Sequence, residues 1–302
     1  MGRSFSIFRG HKNSEEPNIN TISRSHNIFS SSSTATPWDP PAYEEHQSRP
    51  TPPRISGDDP LSFLGSFDTI FLVDDSSSMY GPRWKEAEAA IAAIAPICTQ
   101  YDSDGIDLYF LNHRNERNSY FQSSHANNSS GAYENIKSAQ EVREIFSSVT
   151  PRGGTMVGRR LHDILAPYMQ RVQAMQTSRD PDGTYSDAEK IVKPVNIITI
   201  TDGAFSDDAE SVIVQVARIL DSSQCMAVPW QVGIQFFQIG NDKQAMAYLQ
   251  ELDDDLGKCD DGNLRDIVDT VPWRGSTGTL NAEGILKCVL GAVNKKLDRK
   301  MV

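Results

Sequence analysis

Three short stretches of the 302-residue chain carry oxygen donors at spacings that could hold a hard metal ion. In FLVDDSSSM (71–79), Asp74, Ser76 and Ser78 occupy alternate positions directly after an apolar run. In a tight loop leaving a strand, residues at i, i+2 and i+4 can turn their oxygens toward one point. The second stretch, PRGGT (151–155), brings Thr155 to the opening of a helical pattern, and the third, IITITDG (197–203), ends an apolar strand in Asp202. Together they offer two carboxylates and three hydroxyls. An all-oxygen set with few charges suits a small divalent cation that keeps some waters, Mg²⁺ or Mn²⁺, rather than zinc. A D-x-S-x-S pattern alone is weak, since a serine-rich chain produces it readily by chance; three stretches in this order are a stronger signal. A loop that only caps a helix would explain the serines and Asp74, but not Thr155 or Asp202. A functional site without metal remains open. Asp75 should point away from the metal, by strand alternation.

The elements that must position these residues are readable from periodicity. Ile70-Phe71-Leu72-Val73 is continuously apolar, as in a parallel strand covered on both faces. A helix after Pro82 places Trp84, Ala87, Ile91, Ile94 and Cys98 on one face, and Pro96 should bend or shorten it. Further strands are expected at Ile106–Leu111, at Ser119–Gln122 as a short edge, at Val195–Ile200, at Val232–Ile239 and at Ile267-Val268. Helical patterns fall at 134–148, 156–176, around Val212 to Leu220, at 242–252 and at 280–298, and the polar residues 178–190 read as a surface insertion. Strands alternating with helices argue for an α/β fold, a doubly wound and mostly parallel sheet flanked by helices. Ligands bind such sheets at the carboxyl ends of the strands, where all three stretches lie.

Composition divides the chain in two and excludes several classes. Residues 1–60 hold half of the 16 prolines, the run Ser30–Ser33 and few aliphatic residues. Burial there cannot offset the entropy of ordering, so they read as a disordered tail and 61–302 as the folded domain. The net charge of −11 repels phosphate backbones and argues against nucleic acid as a partner. No apolar run approaches the roughly 18 residues of a transmembrane segment, and the amino terminus lacks the apolar core of a secretory signal. Cys98, Cys225, Cys259 and Cys288 lie far apart, a pattern that suits reduced thiols and a cytoplasmic location.

These residues resemble those of the von Willebrand factor type A (VWA) domain with its metal-ion-dependent adhesion site (MIDAS). The segments that carry the likeness are FLVDDSSSM (71–79), RGGTMVGRRL (152–161) and IITITDG (197–203), within a match over about residues 66–300. The Pro-rich tail and the VNKKLD segment (293–298) are similar to intracellular type A proteins of fungi. The resemblance implies a Rossmann-like domain in which Ser76, Ser78 and Thr155 ligate the metal through their hydroxyls. Asp74 and Asp202 would bind it directly or through water. It further implies that a protein partner's Asp or Glu completes the coordination and that the last helix, 280–298, can shift. The common motif has glycine where this chain has Ser77.

The resulting expectation is a non-enzymatic interaction module. A metal-dependent hydrolase is the rival, but the chain has no G-x-S-x-G elbow and no phosphate loop. His113, His125 and His162 show no paired spacing and read as surface residues. The acidic run Glu251–Asp261 fits no register of a calcium loop and reads as a solvated helix end. In the tail, Pro40, Pro41 and Tyr43 form a PPxY sequence that WW domains bind as a polyproline II segment. A WW-domain protein such as a HECT-type ubiquitin ligase is therefore a candidate partner, and an adaptor working through the tail a third reading. The opening Met1-Gly2-Arg3-Ser4-Phe5-Ser6 matches the myristoylation template, with Arg3 awkwardly beside the acceptor glycine.

Overall fold

The computed structural model describes residues 62–115, 131–180, 185, 191–203, 205–223, 225–256 and 264–271. The tail 1–60 with its PPxY sequence, the edge strand expected at 119–122 and the helix expected at 280–298 lie outside the described residues. Six strands form one sheet in the order β3-β2-β1-β4-β5-β6. They are β1 (Asp68–Val73), β2 (Ile106–Phe110), β3 (Tyr133–Ile136), β4 (Val195–Thr201), β5 (Val232–Gln238) and β6 (Val268–Val271). β1 is central. Its Phe71 is in register with Leu108 of β2 on one side and Ile198 of β4 on the other, both parallel. β5 and β6 extend the parallel part beyond β4. Mostly parallel, mixed α/β and flanked by helices, the sheet has the expected architecture.

The period-two alternation of strand side chains distributes β1 between two cores. Phe71 and Val73, with Ile198 and Ile200 of β4, pack against α1 (Pro82–Tyr101) and α2 (Ala139–Ser148) through Ala87, Ile91, Ile94, Val142 and Phe146. Ile70 and Leu72, with Ile197, Ile234 and Phe236, pack against α3 (Val157–Thr177), α4 (Ala209–Asp221) and α5 (Lys243–Leu256). Every residue of β4 and β5 is buried, as strands covered on both faces require. Among the described residues no helix is long and apolar enough to cross a membrane.

One expectation is corrected and another is narrowed. Residues 134–136 are not the start of a helix; 133–136 form β3, antiparallel on β2, and the helix begins only at Ala139. A capping box decides the boundary: the Ser138 hydroxyl accepts the Glu141 N–H at 3.2 Å, and the Glu141 carboxylate accepts the Ser138 N–H at 2.9 Å. Pro96, in turn, does not shorten α1, which continues to Tyr101. Ile94, Ala95 and Cys98 around it are buried in the core, so packing outweighs the one hydrogen bond a proline removes.

The start of α3 is anchored by the loop that follows β4. The Asp207 carboxylate, from the loop before α4, accepts the N–H groups of Gly158 at 3.0 Å and Arg159 at 2.7 Å, meeting the exposed donors and positive dipole end of α3. The close approach depends on Gly158, where an added Cβ would lie 2.5 Å from the Asp208 carbonyl oxygen. Alanine normally favours a helix over glycine by about 1 kcal/mol. Here Gly158→Ala is expected to lower stability by about 1–3 kcal/mol through overpacking, read as a lower urea midpoint; a midpoint at or above wild type would contradict the close approach.

Candidate metal centre

The strand order reverses between β1 and β4: the chain leaves β1 toward β2 on one side and returns to β4 on the other. At such a switch point the loops leaving the two strands diverge and open a crevice at their carboxyl ends. Asp74 and Asp202 are the first residues after those strands.

Asp74 is fully buried. Its N–H continues the sheet to the Ile200 carbonyl at 2.8 Å. One carboxylate oxygen accepts the Ser76 N–H and the other the Thr201 hydroxyl, each at 2.8 Å. Burial pushes its carboxyl above the ordinary range, the bonds from Ser76 and Thr201 oppose that, and the charge of Asp202 adds to it. The Ser76 turn leads into a single 3-10 turn, Ser77–Met79, which brings the hydroxyls of Ser76 and Ser78 to 3.0 Å. The Ser78 hydroxyl donates to Asp202 at 2.8 Å, and the second Asp202 oxygen accepts from the Arg83 guanidinium. Ser76, Ser78 and Asp202 are thus linked side chain to side chain, beside Asp74.

Thr155 joins this rim through its loop. The Ser77 N–H donates to the Gly153 carbonyl at 3.2 Å, and the Arg152 N–H to the Asp75 carbonyl at 2.6 Å. From the other side Ser206 accepts the Thr155 N–H at 3.2 Å, and its own N–H donates to the Thr155 carbonyl at 2.8 Å. Asp74, Ser76, Ser78 and Asp202 thus lie together, and Thr155 follows the loop that is bonded to Asp75 and Ser77; four of these five are buried and Ser78 is exposed. Ser77 is accommodated: among the described non-glycine residues only Asn135 and Met226 have positive φ.

Asp75 has a different function. Its two oxygens accept the N–H groups of Asn112 at 2.7 Å and His113 at 2.8 Å, plus the Asn112 side-chain amide at 3.1 Å, so it ties the exit of β2 to β1. The same Asn112 amide donates to the Gly154 carbonyl at 3.0 Å. Gly153, at φ +88°, must lack a side chain, since a Cβ would come within 2.8 Å of Asn112. His113 is half-buried and bonded to the Tyr133 hydroxyl at 2.9 Å, rather than a free surface histidine.

Thr201, Arg83, Asn112 and Ser206 support the rim and belong to no motif that would single them out. Thr201 lies inside the IITITDG segment, but a threonine in an apolar strand reads as ordinary β-sheet composition. Arg83 does leave a signal: a cation in the first turn of a helix opposes the macrodipole and calls for a compensating anion. The donor chemistry fits a hard divalent cation. Every donor is oxygen, and Arg83 shows that a cation is drawn to Asp202.

A second acidic group lies at the opposite end of the strands. Asp68, Asp102 and Asp104 can bring carboxylate oxygens within 4.8 Å of one another, and with Asp107 and Glu134 they line a depression of about 150 Å³. Lys193 sits among them, 2.9 Å from Asp102, 3.4 Å from Asp68 and 3.8 Å from Asp104. That ammonium serves as the cluster's cation.

No family model and no curated protein matches the chain. Solved structures that align with it include the pilus adhesin SpaC from Lactobacillus rhamnosus GG in an open conformation, at 13% identity and TM-score 0.37, over 75% of this chain and 30% of that one. A mutant of the PilB minor pilin from Streptococcus sanguinis aligns at 11% identity and TM-score 0.38, over 78% and 62%. Proximal thread matrix protein 1 from the mussel byssus aligns at 14% and 0.34, over 75% and 47%. The chain spans less than two thirds of the length of each. The architecture rests on the strand order, not on these likenesses.

The geometry leads to two expected outcomes. Asp75→Ala leaves two main-chain N–H groups without their acceptor and should lower stability by about 2–6 kcal/mol, at about 1–3 kcal/mol per orphaned group. Equilibrium denaturation should show the same loss in EDTA and in Mg²⁺; a loss confined to Mg²⁺ would make Asp75 a metal residue instead. At the opposite rim, burial raises the Asp107 carboxyl to about 7. The folded chain then holds this proton more tightly than the unfolded chain, so its contribution is full below about pH 4 and is lost as pH rises toward 7. Asp107→Asn should flatten that part of the pH–stability profile; parallel profiles for variant and wild type would refute it.

Proposed function

We propose that this chain is a VWA-type interaction module that holds Mg²⁺ or Mn²⁺ at the rim between β1 and β4 and captures an acidic side chain of a protein partner there. The observation that carries the reading is the convergence of Asp74, Ser76, Ser78 and Asp202 at the switch point of the sheet, from the ends of two adjacent strands. The loop that carries Thr155 is bonded to Asp75 and Ser77 on one side and to Ser206 on the other.

Each residue has a distinct role. Ser76, Ser78 and Thr155 offer neutral hydroxyl oxygens, and Asp74 and Asp202 supply the negative charge. Thr201 and the Ser76 N–H orient the Asp74 carboxylate, and the Asp75–Asn112–Gly154 bonds hold the loop that carries Thr155. A bound dication supplies positive charge on a protein whose net charge is −11, which makes the rim attractive to a carboxylate. Two exposed apolar side chains flank the donors: Tyr80, 72% exposed, two residues after Ser78, and Met156, 40% exposed, next to Thr155. Tyrosine and methionine are both enriched in protein–protein interfaces, which suits a protein surface as partner. The PPxY tail at Pro40, Pro41 and Tyr43 adds a second, WW-type contact to this reading.

Thermal unfolding of the full chain in EDTA, Mg²⁺, Mn²⁺ and Ca²⁺ tests it. Metal at about 100 times its dissociation constant stabilises the native state by about 2.7 kcal/mol, a rise in Tm of roughly 5–10 °C for a domain of this size. Asp74→Ala and Thr155→Ala should abolish the rise. A Tm indifferent to millimolar metal would remove the proposal and direct the search for function to the tail.

A further inference from the structure

Arg83 stands in the first turn of α1, with Pro82 before it and no acidic residue in that turn. A cation there faces the positive end of the helix dipole, so its position is set by what it reaches. It reaches the rim. The guanidinium donates to one oxygen of Asp202, and at 3.4 Å to the Ser78 carbonyl. Ser78 holds the other Asp202 oxygen. Asp202 is 1% exposed and Arg83 38% exposed, so the carboxylate is fixed while its cation borders solvent. Beyond Asp202 the arginine lies over Gly240 at the end of β5, where an added Cβ would come within 3.2 Å of Arg83 Nε. A bare stretch of backbone accommodates the side chain.

Resting on the metal reading proposed for this rim, we infer that Arg83 is a tethered counter-ion that competes with the divalent cation for Asp202 and thereby sets the affinity of the site. Asp202 has two oxygens, both already engaged by donors, and a dication sharing the carboxylate with a guanidinium repels it at short range. Arginine does not relieve the conflict by losing its proton. It has to swing away, and a side chain that is 38% exposed has solvent to swing into. Without metal the same contact keeps a buried carboxylate paired, so the rim does not need an ion to remain folded. Once displaced, the guanidinium is a free fork beside the rim, suited to the second oxygen of an incoming carboxylate.

Mn²⁺ binding to the full-length protein, measured by calorimetry and by the electron paramagnetic resonance of the free ion, tests this with wild type, Arg83→Gln and Arg83→Lys. Arg83→Gln should bind Mn²⁺ about tenfold tighter, a factor that corresponds to about 1.4 kcal/mol. Its Tm should be lower than wild type in EDTA and rise further on adding Mn²⁺. Arg83→Lys keeps the charge without the fork and should fall between the two; it also carries the test if Arg83→Gln does not fold. In wild type, the Arg83 Nε–H resonance should shift on saturation with Mg²⁺. Equal or weaker Mn²⁺ affinity in Arg83→Gln, with binding intact in wild type, overturns the competition and leaves the metal site standing. No binding in any of the three overturns the metal site itself.

Discussion

Two carboxylates at the ends of two adjacent central strands impose the constraint around which this domain is organised. A buried carboxylate is tolerated only if its oxygens are met by donors or cations. Asp74, with no exposure, has an N–H and a hydroxyl; Asp202 has a hydroxyl and a guanidinium. Each of those donors comes from a different place: the loop after β1, the last residue of β4, the 3-10 turn and the first turn of α1. Meeting the two charges therefore fixes how those four pieces sit together. The reversal of strand order supplies the crevice, and the carboxylates determine which loops close around it.

The opposite rim shows how the same problem is solved when one cation is dedicated to it. Asp68, Asp102 and Asp104 share Lys193, whose ammonium lies within 4.0 Å of all three. Burial and the neighbouring Asp104 raise the carboxyl of Asp102, while Asp104 itself is lowered by its bond with Asp102. Here three carboxylates converge on one ammonium. At the β1–β4 rim the charges are fewer and neutral hydroxyls are interleaved between them. Count of charge and kind of donor thus separate the two clusters more clearly than acidity does. Hydroxyls interleaved with carboxylates are the set a small, hard dication shares with water.

Legibility in the sequence tracks the strength of local patterns. β1, β4 and β5 are readable because continuous burial on both faces writes an unbroken apolar run. The Asp-x-Ser-x-Ser loop and Asp202 are readable because they follow such strands directly, and Thr155 because a Gly-Gly pair sets it before a helical pattern. The strand at 133–136 is hidden because YENI has too few apolar residues to show a period, and its pairing with β2 is a tertiary event; the capping box at Ser138 is the local clue to the true helix start. Asp75 shows a different limit. Alternation turns it away from the side that Asp74 faces, and only the pairing of β1 with β2 reveals that it faces the main chain of Asn112 and His113. Arg83 is available to a charge argument but not to a motif search, because its partner lies 119 positions away.

The network beneath the rim explains how the donors can be held in place before any ligand arrives. Asp75 binds Asn112, Asn112 binds Gly154, and Gly153 permits the contact by lacking a side chain. The Ser77 N–H closes onto Gly153 from above, and Ser206 brackets Thr155 from the side of β4. Most of these bonds involve backbone atoms or short side chains, which lose less rotamer entropy on being fixed than long side chains do. The donors themselves are short: serine, threonine and aspartate, each with at most two side-chain torsions. Arg83 is a long side chain at the rim, and 38% of it is exposed where it holds its carboxylate. Short side chains thus carry the oxygens of the rim, and a long, partly exposed one pairs with Asp202 from its edge.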